Sequence, residues 1–234
     1  MIEIAIDGTA ASGKGTLARR LSIKYDLPHL DTGSMYRMVA LELINDKKNN
    51  YTNLEIECCK IAKKLSYKQL ENNKLRSEEV AALASKIASL PSLRHTLNLK
   101  QIEFANVNKE KYGGCILDGR DIGTKILPNA NFKFFINASV EIRAKRRLLE
   151  KNISFLHGND EECMLQSLII DITKRDLSDS RRKTSPLVPA EDAFIIDTSA
   201  INADEVMSIA TKIIEGSNKI VGWKMEISIN KFNI

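Results

Sequence analysis

The chain has 234 residues, 43% of them hydrophobic and 28% charged, the mix of a globular protein and not of a disordered one. That length suits one α/β domain, or one domain with a small insert, better than two. The balance of 35 Lys and Arg against 30 Asp and Glu leaves a net charge of +5, too mild to imply a nucleic-acid binder.

Ile2–Ile6 reads as a short apolar strand ending at Asp7-Gly8. Leu17, Ala18, Leu21 and Tyr25 recur near helical spacing and predict a helix from Gly13 to Tyr25, stopped by Pro28. His29-Leu30-Asp31 is a second short strand, after which Ser34 is expected to cap a helix reaching Ile44. Asn45–Asn53 is polar and loop-like, Leu54–Lys64 an amphipathic helix, Ser66–Lys74 polar and turn-like, and Ser77–Leu90 a further helix. Pro91 opens a helix carrying Leu93, Leu97, Ile102 and Phe104, which Gly113-Gly114 breaks. Cys115-Ile116-Leu117 is a buried strand run ending at Asp118-Gly119, and Phe132–Ile136 is another strand. The helix Ser139–Lys151, an exposed loop Ile153–Asp160 and the helix Glu161–Asp176 follow. Phe194–Asp197 is the last strand and Ala203–Glu215 the last helix; the alternation at Met225, Ile227 and Ile229 in the tail stays unplaced. Five short strands separated by helices argue for a parallel sheet covered on both faces.

No apolar run nears the roughly 18 residues of a membrane span. The start MIEIAIDG carries no basic segment with a small-residue cleavage site, so no secretory signal is expected. Cys58, Cys59, Cys115 and Cys163 form no CxxC pair, and His29, His95 and His157 are isolated, so no zinc site is expected and these histidines read as structural or surface residues. The expected compartment is the reducing cytoplasm.

Lysine dominates the basic set, 23 residues against 12 Arg, which draws the eye to positions that keep arginine. Arg offers a planar fork that grips phosphate oxygens in pairs, and Lys cannot copy it. Arg37, Arg94 with Arg120, Arg143/Arg146/Arg147 and Arg175/Arg181/Arg182 mark four such places, although a solvated surface charge is the bland reading of most arginines.

Gly8-Thr9-Ala10-Ala11-Ser12-Gly13-Lys14 has the GxxxxGK spacing between a strand and a helix, the context in which the motif binds phosphate. Its backbone N–H groups can turn inward around a phosphate, the helix terminus adds partial positive charge, and Lys14 can reach terminal phosphoryl oxygens. The usual Ser/Thr after the Lys is replaced by Gly15, with Thr16 following.

The GKGT ending resembles nucleoside-monophosphate kinases. Leu30-Asp31-Thr32-Gly33-Ser34-Met35-Tyr36-Arg37 and Leu117-Asp118-Gly119-Arg120-Asp121-Ile122-Gly123-Thr124 resemble two segments of bacterial cytidylate kinases. Lys174–Arg182 with Ser185–Ala190 resembles a third. The resemblance spans Ile2 to about Ile214. It implies a P-loop NTPase-type α/β fold, a five-stranded parallel sheet with helices on both faces, plus a small monophosphate-binding insert and a short lid. The expected division is a core at 1–44, 93–150 and 161–216, an insert at 45–92, a lid at 151–160 and a tail at 217–234.

The implied activity is transfer of the ATP γ-phosphoryl to CMP or dCMP, with Mg²⁺, by a cytoplasmic monomer that engages no nucleic acid and no membrane. Gly8, Thr9, Ala10, Ala11, Ser12, Gly13, Lys14, Gly15 and Thr16 would hold the donor. Thr16 and Asp118 would be indirect metal contacts, with a plain strand-end residue the alternative for Asp118. Arg37, Arg120 and Arg182 would grip the acceptor phosphate, while Thr32, Gly33 and Tyr36 line its pocket. Asp121 would accept from cytosine's amine and repel uracil's carbonyl. Ser85 and Arg94 match the family's other base contacts, and Arg175 and Asp179 its ribose contacts. Arg143, Arg146 and Arg147 lie just before the loop that resembles the lid, and one or two of them are expected at the moving phosphoryl, alongside Lys14 and Arg120; an exposed basic helix face is the rival. The stretch from about Asn53 to Arg76 is shorter than the insert common in this family and lacks strand alternation. Three rivals remain: a P-loop kinase for another monophosphate such as UMP, a basic nucleic-acid-binding NTPase, and a non-catalytic nucleotide-binding module. The low aromatic content, 6%, weighs against the second.

Overall fold

The structure is a computed structural model and describes residues 1–46, 53–150, 159–182 and 184–217. Strands β1 (Ile2–Gly8), β2 (His29–Asp31), β3 (Gly114–Gly119), β4 (Phe132–Asn137) and β5 (Phe194–Asp197) form one sheet in the order β2-β3-β1-β4-β5. Every pairing is parallel. The side chains of β1 divide the core, since successive residues on a strand face opposite sides. Ile4 and Ile6 pack with Phe134 and Ile136 beneath α1 (Lys14–Tyr25) and the last helix, while Ala5 joins Leu117 and Cys115 on the other side. That second side is covered by α2 (Thr32–Asn45), α3 (Leu54–Lys64), α4 (Glu78–Ile87) and α5 (Pro91–Tyr112). A smaller apolar cluster joins α6 (Val140–Glu150) to α7 (Asn159–Ser180) through Ala144, Leu168 and Ile172. The last helix, α8 (Ala203–Ser217), packs Val206, Ala210 and Ile214 onto the first core.

Register lines up the carboxyl ends that matter. Asp7 lies opposite Gly119, and Asp31 opposite Asp118. The chain leaves β1 for the β2 edge, returns to β3, then crosses to β4 on the other side of β1. Such a reversal opens a crevice beyond the strand ends, where ligands of open α/β sheets bind.

Several element boundaries differ from the sequence reading. Ser34 does not cap α2; the cap is Asp31, three residues earlier, whose side chain accepts from Ser34 N at 3.2 Å and from its hydroxyl at 2.8 Å. A carboxylate at the N-cap serves the orphan N–H groups and the helix dipole together. The polar stretch Ser66–Lys74 folds as two 3₁₀ turns, Tyr67–Glu71 and Asn73–Arg76, and buries Leu75 in the core. The helix at Ser77–Leu90 stops at Ile87, and α7 extends past Asp176 to Ser180. Asn159 and Asp160, expected in a loop, begin α7; the rest of the expected lid and nearly all of the tail lie outside the described residues.

Candidate active site

The phosphate loop turns sharply between β1 and α1. Gly8 has φ +153°, and a Cβ there would lie 2.0 Å from the Ile136 carbonyl oxygen, so only glycine lets β1 run so close to β4. Gly13 at φ +94° occupies the N-cap of α1 with no side-chain cap, which leaves the first N–H groups of the helix for an anion. The Ser12 hydroxyl donates to Thr9 O at 2.9 Å and closes the loop on itself. Burial first, then the Arg120 charge, pushes the Lys14 ammonium down to about 8, against the pull of Asp118 and Asp31.

Thr16 is the third residue of α1, and Asp118 near the end of β3 faces the first turn of that helix. Asp118 Oδ1 bonds His29 Nε2 at 2.7 Å, and Oδ2 lies 3.8 Å from where a Cβ of Gly15 would stand. His29 is therefore structural, as its isolation suggested, but its partner is a site carboxylate. Among the described residues no cluster of three or more His, Cys, Asp or Glu could hold a metal alone. The donor set fits Mg²⁺ arriving on nucleotide phosphates, which keeps most of its water and takes few protein oxygens.

Across the crevice, charged groups form a nearly continuous network. Arg120 Nε donates to Asp179 Oδ2 at 3.0 Å, and Arg182 Nε donates to the Asp179 backbone oxygen at 3.4 Å. Arg94 Nη2 donates to Asp121 Oδ2 at 2.6 Å, Nη1 donates to Ala88 O at 3.2 Å, and the guanidinium lies 5.7 Å from the Tyr36 ring centre. Arg94 and Asp121 are both buried. Arg175 is pushed down to about 10 by burial and then by Arg120, with Arg37 and Arg147 adding to the repulsion. The donors Arg94 Nε, Arg175 Nε and Arg182 Nη2 are buried without a hydrogen-bond acceptor among the described residues. Unmet buried donors are costly, and here they share one network in which the arginines outnumber Asp121 and Asp179. Such a site is built for a polyanion.

Thr32 donates through its hydroxyl to Asp118 O at 2.8 Å, and a Cβ at Gly119 would come within 2.5 Å of that hydroxyl. The α2 amino end is thereby held against the exit of β3, with Gly33, Tyr36 and Arg37 on its first turns. Ser85 is half-buried on α4 and makes no hydrogen bond to a described residue. The structure thus brings Lys14, Tyr36, Arg37, Arg94, Arg120, Asp121, Arg175, Asp179 and Arg182 into one neighbourhood, while no hydrogen bond joins Ser85 to them among the described residues.

The three arginines of α6 separate. Arg143 is buried and donates to Ala138 O at 2.9 Å, to Ala10 O at 3.4 Å and to Asp176 Oδ2 at 2.6 Å. Arg146 donates to Ser12 O at 3.3 Å and to Thr198 Oγ1 and O at 2.9 and 2.6 Å. Both brace the phosphate loop from below. Arg147 has no hydrogen bond or ion pair to a described residue and adds to the charge felt by Arg175. The rival reading of an exposed basic face fails for Arg143 and Arg146.

Sequence reasoning missed Asp7, Asp176 and Thr198. A carboxylate at the carboxyl end of β1, directly before the first glycine of the phosphate loop, was a visible sign for Asp7. Nothing local marked Asp176 or Thr198, whose importance comes from helices and strands far apart in the chain.

A family model described as cytidylate kinase matches residues 4–216. A cytidylate kinase of Methylocella silvestris is 43% identical over 215 residues, 92% of this chain and 94% of the relative. One from Xanthobacter autotrophicus is 42% identical over 91% of this chain and 96% of its own. One from Acidiphilium cryptum is 41% identical over 94% and 97%.

Proposed function

The chain belongs to the cytidylate kinase family and transfers the γ-phosphoryl of ATP to CMP or dCMP, and we propose that the crevice residues described above carry that transfer. The observation that carries the assignment of residues is the set of buried guanidinium donors without a hydrogen-bond acceptor among the described residues, Arg94 Nε, Arg175 Nε and Arg182 Nη2, the last 3.5 Å from Asp179 Oδ1, around Asp179 and Arg120. The acceptor is already a phosphate oxygen, so the chemistry asks for in-line placement and charge neutralisation more than for a base. The loop Gly8–Gly13 and the amino end of α1 hold the donor phosphates. Lys14 follows the γ-phosphoryl, and a bound polyanion favours its charged form. Arg37, Arg120 and Arg182 grip the acceptor phosphate. Arg175 and Asp179 meet the ribose, and Arg147 is the α6 arginine left to meet the transferring group. Mg²⁺, when bound, supplies further charge neutralisation on the donor phosphates; Thr16 and, through water, Asp118 are the residues that would hold it.

Base choice falls to Asp121, whose Oδ1 is not used by Arg94. A carboxylate accepts from cytosine's amine and opposes uracil's carbonyl. The UMP reading would call instead for a donor at this place. We further propose a monomer working in a reducing compartment, since one chain supplies every expected site residue and its cysteines are free thiols. The described residues include no helix long and apolar enough to cross a membrane.

The test is Asp121→Asn. The catalytic efficiency for CMP should fall while that for UMP holds or improves, narrowing the ratio by about 1–3 kcal/mol. Equal losses on both substrates in a folded variant would remove Asp121 from base recognition.

A further inference from the structure

Asp7 is the last residue but one of β1, and its carboxylate is buried where the strand meets the exit of β3. Oδ1 accepts from Ile122 N and Oδ2 from Gly123 N, each at 2.8 Å. Those two amides begin a single π-helical turn, Ile122–Ile126, closed by Leu127 N donating to Ile122 O at 2.7 Å. Wide turns of this kind are unstable alone and recur at functional sites. The contact is tight, since a Cβ at Gly123 would stand 3.4 Å from Asp7 Oδ2 and 3.2 Å from the Lys133 side chain.

The residues just before this turn are Arg120 and Asp121, and the residue after Asp7 is Gly8, the first of the phosphate loop. We propose that Asp7 is a positioning residue for phosphoryl transfer: its carboxylate clamps the Ile122–Gly123 backbone and so fixes Arg120 and Asp121 relative to the loop that begins at Gly8. The inference rests on the proposed roles of those acceptor-side residues. One carboxylate is tied to the donor side by a peptide bond and to the acceptor side by two hydrogen bonds. A displacement of the turn therefore becomes a displacement of acceptor from donor, and phosphoryl transfer is sensitive to errors of about 1 Å.

Both bonds need an acceptor-only group. An amide at position 7 would turn an NH₂ toward one of the two backbone N–H groups. The groups facing Asp7 are Asp121 and Arg120 beyond β3 and Lys133 on β4, which is itself paired with Asp192. Burial pushes the Asp7 carboxyl up to about 6, with Asp121 adding to the rise, against the two backbone bonds and Arg120. Protonation below that pH would spoil the clamp as the amide does.

The experiment is steady-state kinetics of Asp7→Asn beside wild type, with a backbone amide pH titration by NMR. If the clamp holds the acceptor side, kcat falls by about tenfold or more, KM for CMP rises and KM for ATP stays within about twofold. The Ile122 and Gly123 amide resonances titrate together near pH 6 in wild type and not in the variant. Unchanged kcat and KM for CMP in a folded variant would overturn the proposal. Should the variant not fold, wild type decides: kcat with both substrates saturating falls through the amide midpoint if the clamp matters, and constancy across that midpoint overturns it. A wild-type enzyme that turns over CMP no better than other monophosphates would instead defeat the functional reading on which the inference rests.

Discussion

Lys14 shows how much of the chemistry depends on charge held in an awkward place. Its ammonium is buried close to Arg120, so burial and repulsion lower its pKa to about 8 against the pull of Asp118 and Asp31. The sign follows from the base form being neutral. As pH rises through about 8 the free enzyme loses this charge, so KM for ATP should rise over pH 7.5–9. Lys14→Ala should lack that rise and lose kcat by about 10²–10³-fold, the usual cost of removing one charge-stabilising donor. Circular dichroism should match wild type, because the side chain serves the site and not the core. Retained turnover in the folded variant would take the loop out of the active site.

At the scale of elements, α6 divides bracing from chemistry along one helix. Arg143 ties Ala10 of the phosphate loop to Asp176 of α7, whereas Arg147 makes no such tie to a described residue. Arg143→Met should destabilise the protein by about 2–4 kcal/mol, below the full cost of breaking a buried pair because Asp176 keeps some solvent contact. It should raise KM for ATP by loosening the loop. Arg147→Met should leave thermal stability unchanged and lower kcat. Thermal unfolding and initial rates on the two variants separate the roles, and the reverse pattern would exchange them. The sequence placed all three arginines near the site but could not divide them, since the partners of Arg143 and Arg146 lie in three distant segments, the phosphate loop (Ala10, Ser12), α7 (Asp176) and the exit of β5 (Thr198). Helix periodicity located α1 and α3 well because their apolar spacing is regular, whereas α5 was located by its bounds, Pro91 and Gly113-Gly114. The start of α2 was misread because Asp31 and Ser34 are both good capping residues, and only the backbone at Asp31, extended at φ −74° and ψ 98°, distinguishes them.

For the whole molecule, the fold class was legible because short apolar strands alternate with helices and few topologies suit that order. The strand order and register were not legible, and they are what aligns Asp7 with Gly119 and Asp31 with Asp118. Motif spacing likewise named the arginines of the crevice, while their unmet donors emerge only once β3, α5 and α7 are packed together. That convergence of donor loop and acceptor network makes substrate choice the central claim. It is tested most directly by ADP release and product identification with MgATP and each of CMP, dCMP, UMP, AMP and GMP. CMP and dCMP should yield CDP and dCDP with an efficiency at least about tenfold above UMP, the discrimination expected of one buried polar contact, and the purine nucleotides should be inert. Equal turnover of UMP or a purine monophosphate, or ATP hydrolysis without CDP, would contradict it.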